Sequence, residues 1–291
     1  MPALHASNNA RVATQIVMSK SAAPEAPRWF GPRSNSTAMM AFGLRLAGGG
    51  AHQSKTMMLQ EIEALLATGL TDSSELKRAV IEDNVLGKAT ANTRILSHKH
   101  LASLYALNQK TPIFQVLYGL WKIDVAGHRL LALLVALGRD PLLRDTAAPI
   151  LATTIGEPLP RSLFEAALAE AHPGRFSEKT FRSLAQNCAS TWTQAGLLEG
   201  KVRKIRRRVS ATPQAVALAA LLATASGFGG PAILSSMWMR VLDLSPERAL
   251  DLLRQAEGLG LARVRSAGDV TEIAVRQPMA IALGVSELEH V

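Results

Sequence analysis

The sequence predicts a mainly helical fold: a helical body carrying helix-turn-helix or winged-helix units with small β-hairpin wings. Three observations lead there. Hydrophobic residues make up 48% of the 291 but aromatics only 4%. The core is therefore mostly Leu, Ala, Val and Ile, which favours packed helices over a β-sandwich. Helix start and stop signals recur at short intervals. Two segments also run helix, Gly-Leu, strand, a repeat of structure rather than of residues.

Residues 1–38 read as a disordered tail, with Pro24, Pro27 and Pro32, many Ser, Ala and Asn, and one acid, Glu25. They lack the apolar stretch of a secretory signal, and Met18 and Met39 are alternative starts to Met1. Residues 39–172 read as a helical domain. Thr56–Ala67 places Met58, Ile62, Leu65 and Leu66 on one face, with Gly69 as a stop. Asp72 and Glu75 have capping-box spacing and open a helix ending near Gly87. Ala91–Leu107 is the next helix. Thr111-Pro112 caps another that runs through Lys122. Ala126–Leu137 is apolar and stops at Gly138. Asp140-Pro141 starts a further helix that Pro149 ends or kinks, and Pro160–Ala171 completes the body.

Residues 173–210 form a winged-helix-like unit. Ser177 is an N-cap, and Phe181, Leu184, Ala185, Cys188, Trp192 and Ala195 recur at helical spacing. Gly196 ends the helix, Leu197-Leu198 return to the core, and Glu199-Gly200 turn the chain into a basic extended run. Residues 211–280 form a second helical unit: Pro231–Leu242 as one helix, Ser245-Pro246 opening another, and a hairpin of Leu261–Val264 and Val270–Val275 around Ser266-Ala267-Gly268-Asp269. Residues 281–291 read as a C-terminal tail.

The formal net charge of +9 points to a polyanionic partner, nucleic acid or an anionic membrane surface, if the excess is clustered. It is clustered. Lys201–Arg208 holds six Lys/Arg in eight positions and no acid. Each can neutralise a phosphate, the main sequence-independent term in DNA affinity. Lys201, Arg203, Lys204, Arg206, Arg207 and Arg208 are therefore candidate DNA contacts, against the plainer reading of a solvated charged strand. If all six touch phosphates, log affinity should fall against log salt with a slope of about −5. The preceding helix offers Lys179, Thr180, Arg182, Ser183, Gln186 and Asn187 outward, able to reach base edges or backbone, or forming an ordinary polar face. The second unit's long helix carries Glu247, Arg248, Asp251, Arg254 and Glu257. Its acids outnumber its bases, so it is expected to pack or bind protein rather than DNA.

Other classes are disfavoured. Ser210–Met239 contains no charge, which invites a membrane-span reading. The stretch is Ala-rich and broken by Ser226-Gly227-Phe228-Gly229-Gly230-Pro231, so buried helices around a turn are expected and no membrane partner. The lone Cys188 cannot form an internal disulfide, which fits a cytoplasmic protein. No metal site is expected: His98-Lys99-His100 is a close His pair without further ligands nearby. Gly48-Gly49-Gly50 lacks the Lys-Ser/Thr of a phosphate loop. No catalytic residues, cofactor or enzymatic activity are predicted.

The order of several motifs resembles the BrxA family of the BREX phage-defence systems. They are Gly48-Gly49-Gly50 before a helix, Asp83-Asn84-Val85-Leu86-Gly87 before Thr90 and Thr93, Arg139-Asp140-Pro141-Leu142-Leu143, and Ala195-Gly196-Leu197-Leu198 followed by a basic strand. The likeness spans about Ala41 to Val209. It implies a small helical protein with helix-turn-helix and winged elements that binds duplex DNA within a multi-protein anti-phage assembly, and it carries over no catalytic residue. The N-terminal tail and the unit after Ser210 depart from it. The alternatives are a scaffold docking an acidic protein partner, or a winged-helix repressor.

Overall fold

The computed structural model describes residues 28–267 and 270–289. The expected tail at 1–27 and the hairpin tip Gly268-Asp269 lie outside them, as do His290 and Val291.

The first helices are set by their caps. Asn35 accepts the Ala38 N–H and opens α1 (Ser36–Phe42). A 3-10 turn, Ala51–Gln53, precedes α2 (Leu59–Leu66). That helix starts later than its periodicity suggests, because Met58 is left-handed (φ 55°). Asp72 caps α3 (Ser73–Ile81) through the Ser74 and Glu75 N–H groups. Thr90 and Thr93 form a reciprocal capping box on α4 (Ala91–Tyr105). Pro112 stands at the start of α5 (Pro112–Ile123).

Next come α6 (His128–Arg139), α7 (Pro141–Asp145) and α8 (Ala147–Ala152). Gly138 is not a stop but lies inside α6, where a Cβ would come within 3.0 Å of Leu44 and 3.3 Å of Ile113. The break falls at Thr146, and Pro149 sits in the first turn of α8, where its missing N–H costs nothing. Then follow α9 (Arg161–Ala171), α10 (Glu178–Gln194) and a hairpin of β1 (Leu198–Glu199) and β2 (Ile205–Arg206).

The remaining elements are α11 (Pro213–Ala225), α12 (Ala232–Ser235), α13 (Met237–Arg240), α14 (Pro246–Gly258), the hairpin β3 (Arg263–Ala267) and β4 (Val270–Ala274), and α15 (Arg276–Leu283). The single helix expected over Pro231–Leu242 is split, because Ser236 is extended (ψ 158°) and turns its hydroxyl back to the Ile233 carbonyl at 2.7 Å.

The centre is made by α6 and α11, which pack on each other. Residues 130–138 of α6 and 215–223 of α11 are buried on every side. A helix apolar all round must be covered all round. Here α4, α5, α10, α13 and α14 do the covering. That accounts for the uncharged stretch after Ser210: among the described residues no helix is long and apolar enough to cross a membrane. One apolar core runs from Met39 to Leu288.

Both expected tails need correction. Trp29 packs edge-on against Trp238 (centroids 4.8 Å), whose Nε1 donates to the Trp29 carbonyl at 2.9 Å. Gly31 N donates to the Ser226 carbonyl at 2.8 Å, so 28–38 is docked on the core. At the other end α15 packs on α5, and a 3-10 turn, Ser286–Glu289, buries Leu288 just after the buried Val285.

Candidate nucleic-acid interface

The stretch before α9 is extended and pairs with β2. Gly156 N donates to the Arg206 carbonyl (2.8 Å), Arg206 N to the Glu157 carbonyl (2.9 Å), and Leu159 N to the Lys204 carbonyl (2.8 Å). On its other edge β2 pairs with β1, Leu198 opposite Arg206 and Glu199 opposite Ile205. The chain thus runs helix, extended segment, α9, α10, β1, turn, β2, which is the order of a winged helix. The turn 200–204 is tight. Gly200 is left-handed (φ +100°), and a side chain there would overlap the Arg203 carbonyl. Lys204 Nζ closes the turn on the Gly200 carbonyl at 2.7 Å. Partial burial holds that ammonium below its ordinary value. Val202 at the tip is fully exposed.

Ser177 caps α10, whose Leu184, Ala185, Cys188, Trp192 and neighbouring Thr191 are buried. Lys179, Arg182, Ser183 and Gln186 are exposed, and Ser190 is half-buried. Helical spacing places them in one stripe. Thr180 is instead part of the cap, its N–H on Ser177 Oγ at 3.3 Å and its hydroxyl 3.0 Å from the same oxygen. Asn187 is drawn sideways, donating to the His52 carbonyl at 2.8 Å.

The stripe runs into a groove of 660 Å³ between α10, the start of α9 and the hairpin turn. Gln186, Ala189 and Ser190 form one wall and Lys201, Val202, Arg203 and Lys204 another, with Pro158–Arg161 and Phe164 completing it. Among the described residues its lining holds Arg161, Lys201, Arg203 and Lys204 and no carboxylate. Arg161 was not anticipated from the sequence. The available signal was a cation in the first turn of a helix, where the dipole disfavours it. Glu165, one turn on, offsets this at 2.7 Å. No side chain caps α9, and of its first-turn N–H groups Leu163 N donates to the Pro160 carbonyl at 3.1 Å.

The basic run does not act as one surface. Arg206 is buried and faces inward, which corrects its assignment as a phosphate contact. Its guanidinium meets Asp243 through two nitrogens, and Nε donates to the Ile150 carbonyl at 2.9 Å. The Leu197 and Arg207 carbonyls accept from Nη1. Asp243 also accepts the Val209 N–H at 3.2 Å. Arg206 therefore ties the hairpin to α8 and to the loop before α14. Arg207 is exposed but pairs with Glu199 at 2.5 Å. Arg208 is exposed.

Behind α10 lies a buried polar chain. Asp140 accepts from His52 N (3.1 Å), His52 Nδ1 (2.7 Å) and Leu142 N (3.0 Å). His52 Nε2 is 2.8 Å from Thr191 Oγ1, which also accepts the Met57 N–H at 2.8 Å. The set is satisfied with Nδ1–H donating to Asp140 and the Thr191 hydroxyl donating to Nε2. Burial alone would raise the Asp140 carboxyl, but the adjacent His52 ring and the N–H donors outweigh it and hold it below the usual range. A side chain at Gly50 would overlap this carboxylate, so Gly50 is a packing feature, while Gly48 is left-handed (φ +103°). Cys188 is buried on the same helix, and desolvation pushes its thiol up. Among the described residues no group of His, Cys, Asp and Glu is arranged to hold a metal ion.

In the second unit, α14 exposes Glu247, Arg248, Asp251, Arg254 and Glu257. Arg254 stands 3.8 Å from Asp251, and Glu257 accepts the Val264 N–H at 3.2 Å. The arrangement differs from α10, whose exposed face carries one acid, Glu178, confined to its first turn. Against known proteins, the chain matches no family model and no curated protein.

Proposed function

We propose that the protein is a non-catalytic, double-stranded DNA-binding accessory protein that holds the duplex mainly through phosphate contacts. The carrying observation is that the exposed stripe of α10 and the basic turn 201–204 converge on one groove without a carboxylate in its lining. In this reading Lys179, Arg182, Ser183 and Gln186 face the DNA groove, while Lys201, Arg203, Lys204 and Arg208 meet backbone phosphates. With Arg206 internal and Arg207 paired, four residues of the basic run serve phosphates. Their share of the salt slope becomes about −3.6 instead of about −5. The motif order shared with BrxA proteins favours a place in a BREX-like anti-phage assembly, alongside other proteins of that system.

A second reading has its own observation. The groove is partly apolar, with Pro158, Leu159, Phe164 and Val202 in its walls. That suits an acidic peptide bearing an apolar side chain, as a scaffold would dock. A gel-shift series with random-sequence duplexes at moderate salt separates the two. Binding is expected for the DNA reading, and its absence, with capture of an acidic apolar peptide, would favour the scaffold.

A further inference from the structure

A helix lying in the DNA major groove has a phosphate strand along each of its flanks. The hairpin turn supplies cations to one flank of α10. The inference below concerns the other flank, and it rests on the reading of α10 as the groove-lying helix.

At 100° per residue, the stripe Lys179, Ser183, Gln186, Ser190 lies between Ala189 on the hairpin side and Asn187 and Gln194 on the far side. That far side is edged by 51–59, which α10 pins along its length. Asn187 Nδ2 donates to the His52 carbonyl (2.8 Å), Thr191 Oγ1 accepts Met57 N (2.8 Å), and Gln194 Nε2 donates to Thr56 Oγ1 (2.9 Å). Leu59 N returns a bond to Gln194 Oε1 at 3.2 Å. Between these anchors Lys55 projects, exposed. Helix α4 packs against the same segment and brings up exposed Lys99 and half-buried His100. The charges acting on the His100 ring are Lys55, from the pinned segment, and Lys99, from its own helix. No carboxylate is among them. Burial first, and these lysines next, hold the ring below its ordinary value. His98 points about 200° away around α4, toward Lys77, and stands apart.

Lys55 and Lys99 thus stand exposed beside the half-buried His100, and among the described residues neither pairs with a carboxylate. We propose that Lys55, Lys99 and His100 form a second phosphate-binding edge, so that duplex DNA is gripped along both flanks of α10. Phosphate at this edge favours the protonated ring, so binding takes up a proton and tightens as pH falls.

The test is fluorescence anisotropy of a labelled random duplex with the full chain, titrated over salt. Lys55→Ala with Lys99→Ala should make the log–log slope shallower by about 1.8, and Lys201→Ala with Arg203→Ala and Lys204→Ala by about 2.7, the two changes adding. Unchanged thermal melting is expected for the Lys55/Lys99 variant, whose side chains are exposed. The hairpin variant also loses the Lys204–Gly200 bond, so Lys201→Ala with Arg203→Ala alone, expected to melt as the wild type and to make the slope shallower by about 1.8, keeps the reading on binding. His100→Gln should remove part of the tightening between about pH 8 and about pH 6, either side of the ordinary imidazole value. If the hairpin variant loses slope while the Lys55/Lys99 variant keeps the wild-type slope, the second edge is refuted and the groove stands. If the wild type binds no duplex, the groove reading falls and takes this edge with it.

Discussion

Replacing Arg206 by Ala removes the partner of a nearly buried carboxylate. Arg206 and Asp243 are 2% and 10% exposed, and an uncompensated charge of that kind costs about 3–5 kcal/mol. Chemical denaturation should show a loss of that order. Arg208→Ala, two residues on, should do the reverse. Its stability stays within about 0.5 kcal/mol, while the salt slope of duplex binding becomes shallower by about 0.9. Asp140 makes a pH prediction. Its folded carboxyl lies below the ordinary value, so its stabilisation is present above the unfolded pKa of about 3.9 and is lost as pH falls from there through the folded value. Acid denaturation curves of wild type and Asp140→Asn should converge at low pH, with the wild type the more stable above about pH 4. Divergence instead would remove the His52–Asp140 pair from the stability balance. The inward turn of Arg206 was not legible in the sequence. An unbroken basic run hides the strand alternation that turns one residue in, and the partner Asp243 lies 37 positions away.

At the scale of elements, local signals were legible and long-range ones were not. Ser177 and Asp72 mark helix starts where the structure has them, because a cap is a contact between near neighbours. At α5 the start is marked by Pro112 alone, since the Thr111 side chain makes no cap bond. The split between α12 and α13 has no comparable signal in Ser235-Ser236. The segment Gly156–Leu159 contains two Pro-adjacent positions and reads as loop, yet it completes the small sheet by pairing with β2. Only the fold brings that partner. The hairpin turn depends on one residue that a sequence can flag. Gly200→Ala would force a Cβ against the Arg203 carbonyl in a left-handed backbone. The expected result is a loss of about 1–3 kcal/mol, with weakened duplex binding as the turn loosens. Amide hydrogen exchange across 198–206 checks it: unchanged protection would mean the turn tolerates the side chain.

For the whole molecule, the mainly helical class follows from composition, and α6 and α11 explain how 48% hydrophobic residues are hidden with so few aromatics. Several motifs singled out in the sequence have structural roles here. Gly50 abuts Asp140, Thr90 caps α4, and Gly196 is left-handed (φ +89°) as the chain leaves α10. These roles are architectural, whereas the proposal of DNA binding rests on the groove. Of the candidate site, the α10 stripe and the turn were legible as charge and period. Arg161 and Ser190 were not, because their place in the groove exists only once α9 and the hairpin pack.

The most direct measurement is the salt dependence of random-duplex affinity for the wild type and for the variant carrying Lys201→Ala, Arg203→Ala and Lys204→Ala. The expected result is clear binding at low salt and a slope shallower by about 2.7 in the variant, with melting lowered only by the loss of the Lys204–Gly200 bond. Equal affinity and equal slope for the two proteins would contradict the placement of duplex DNA at this groove.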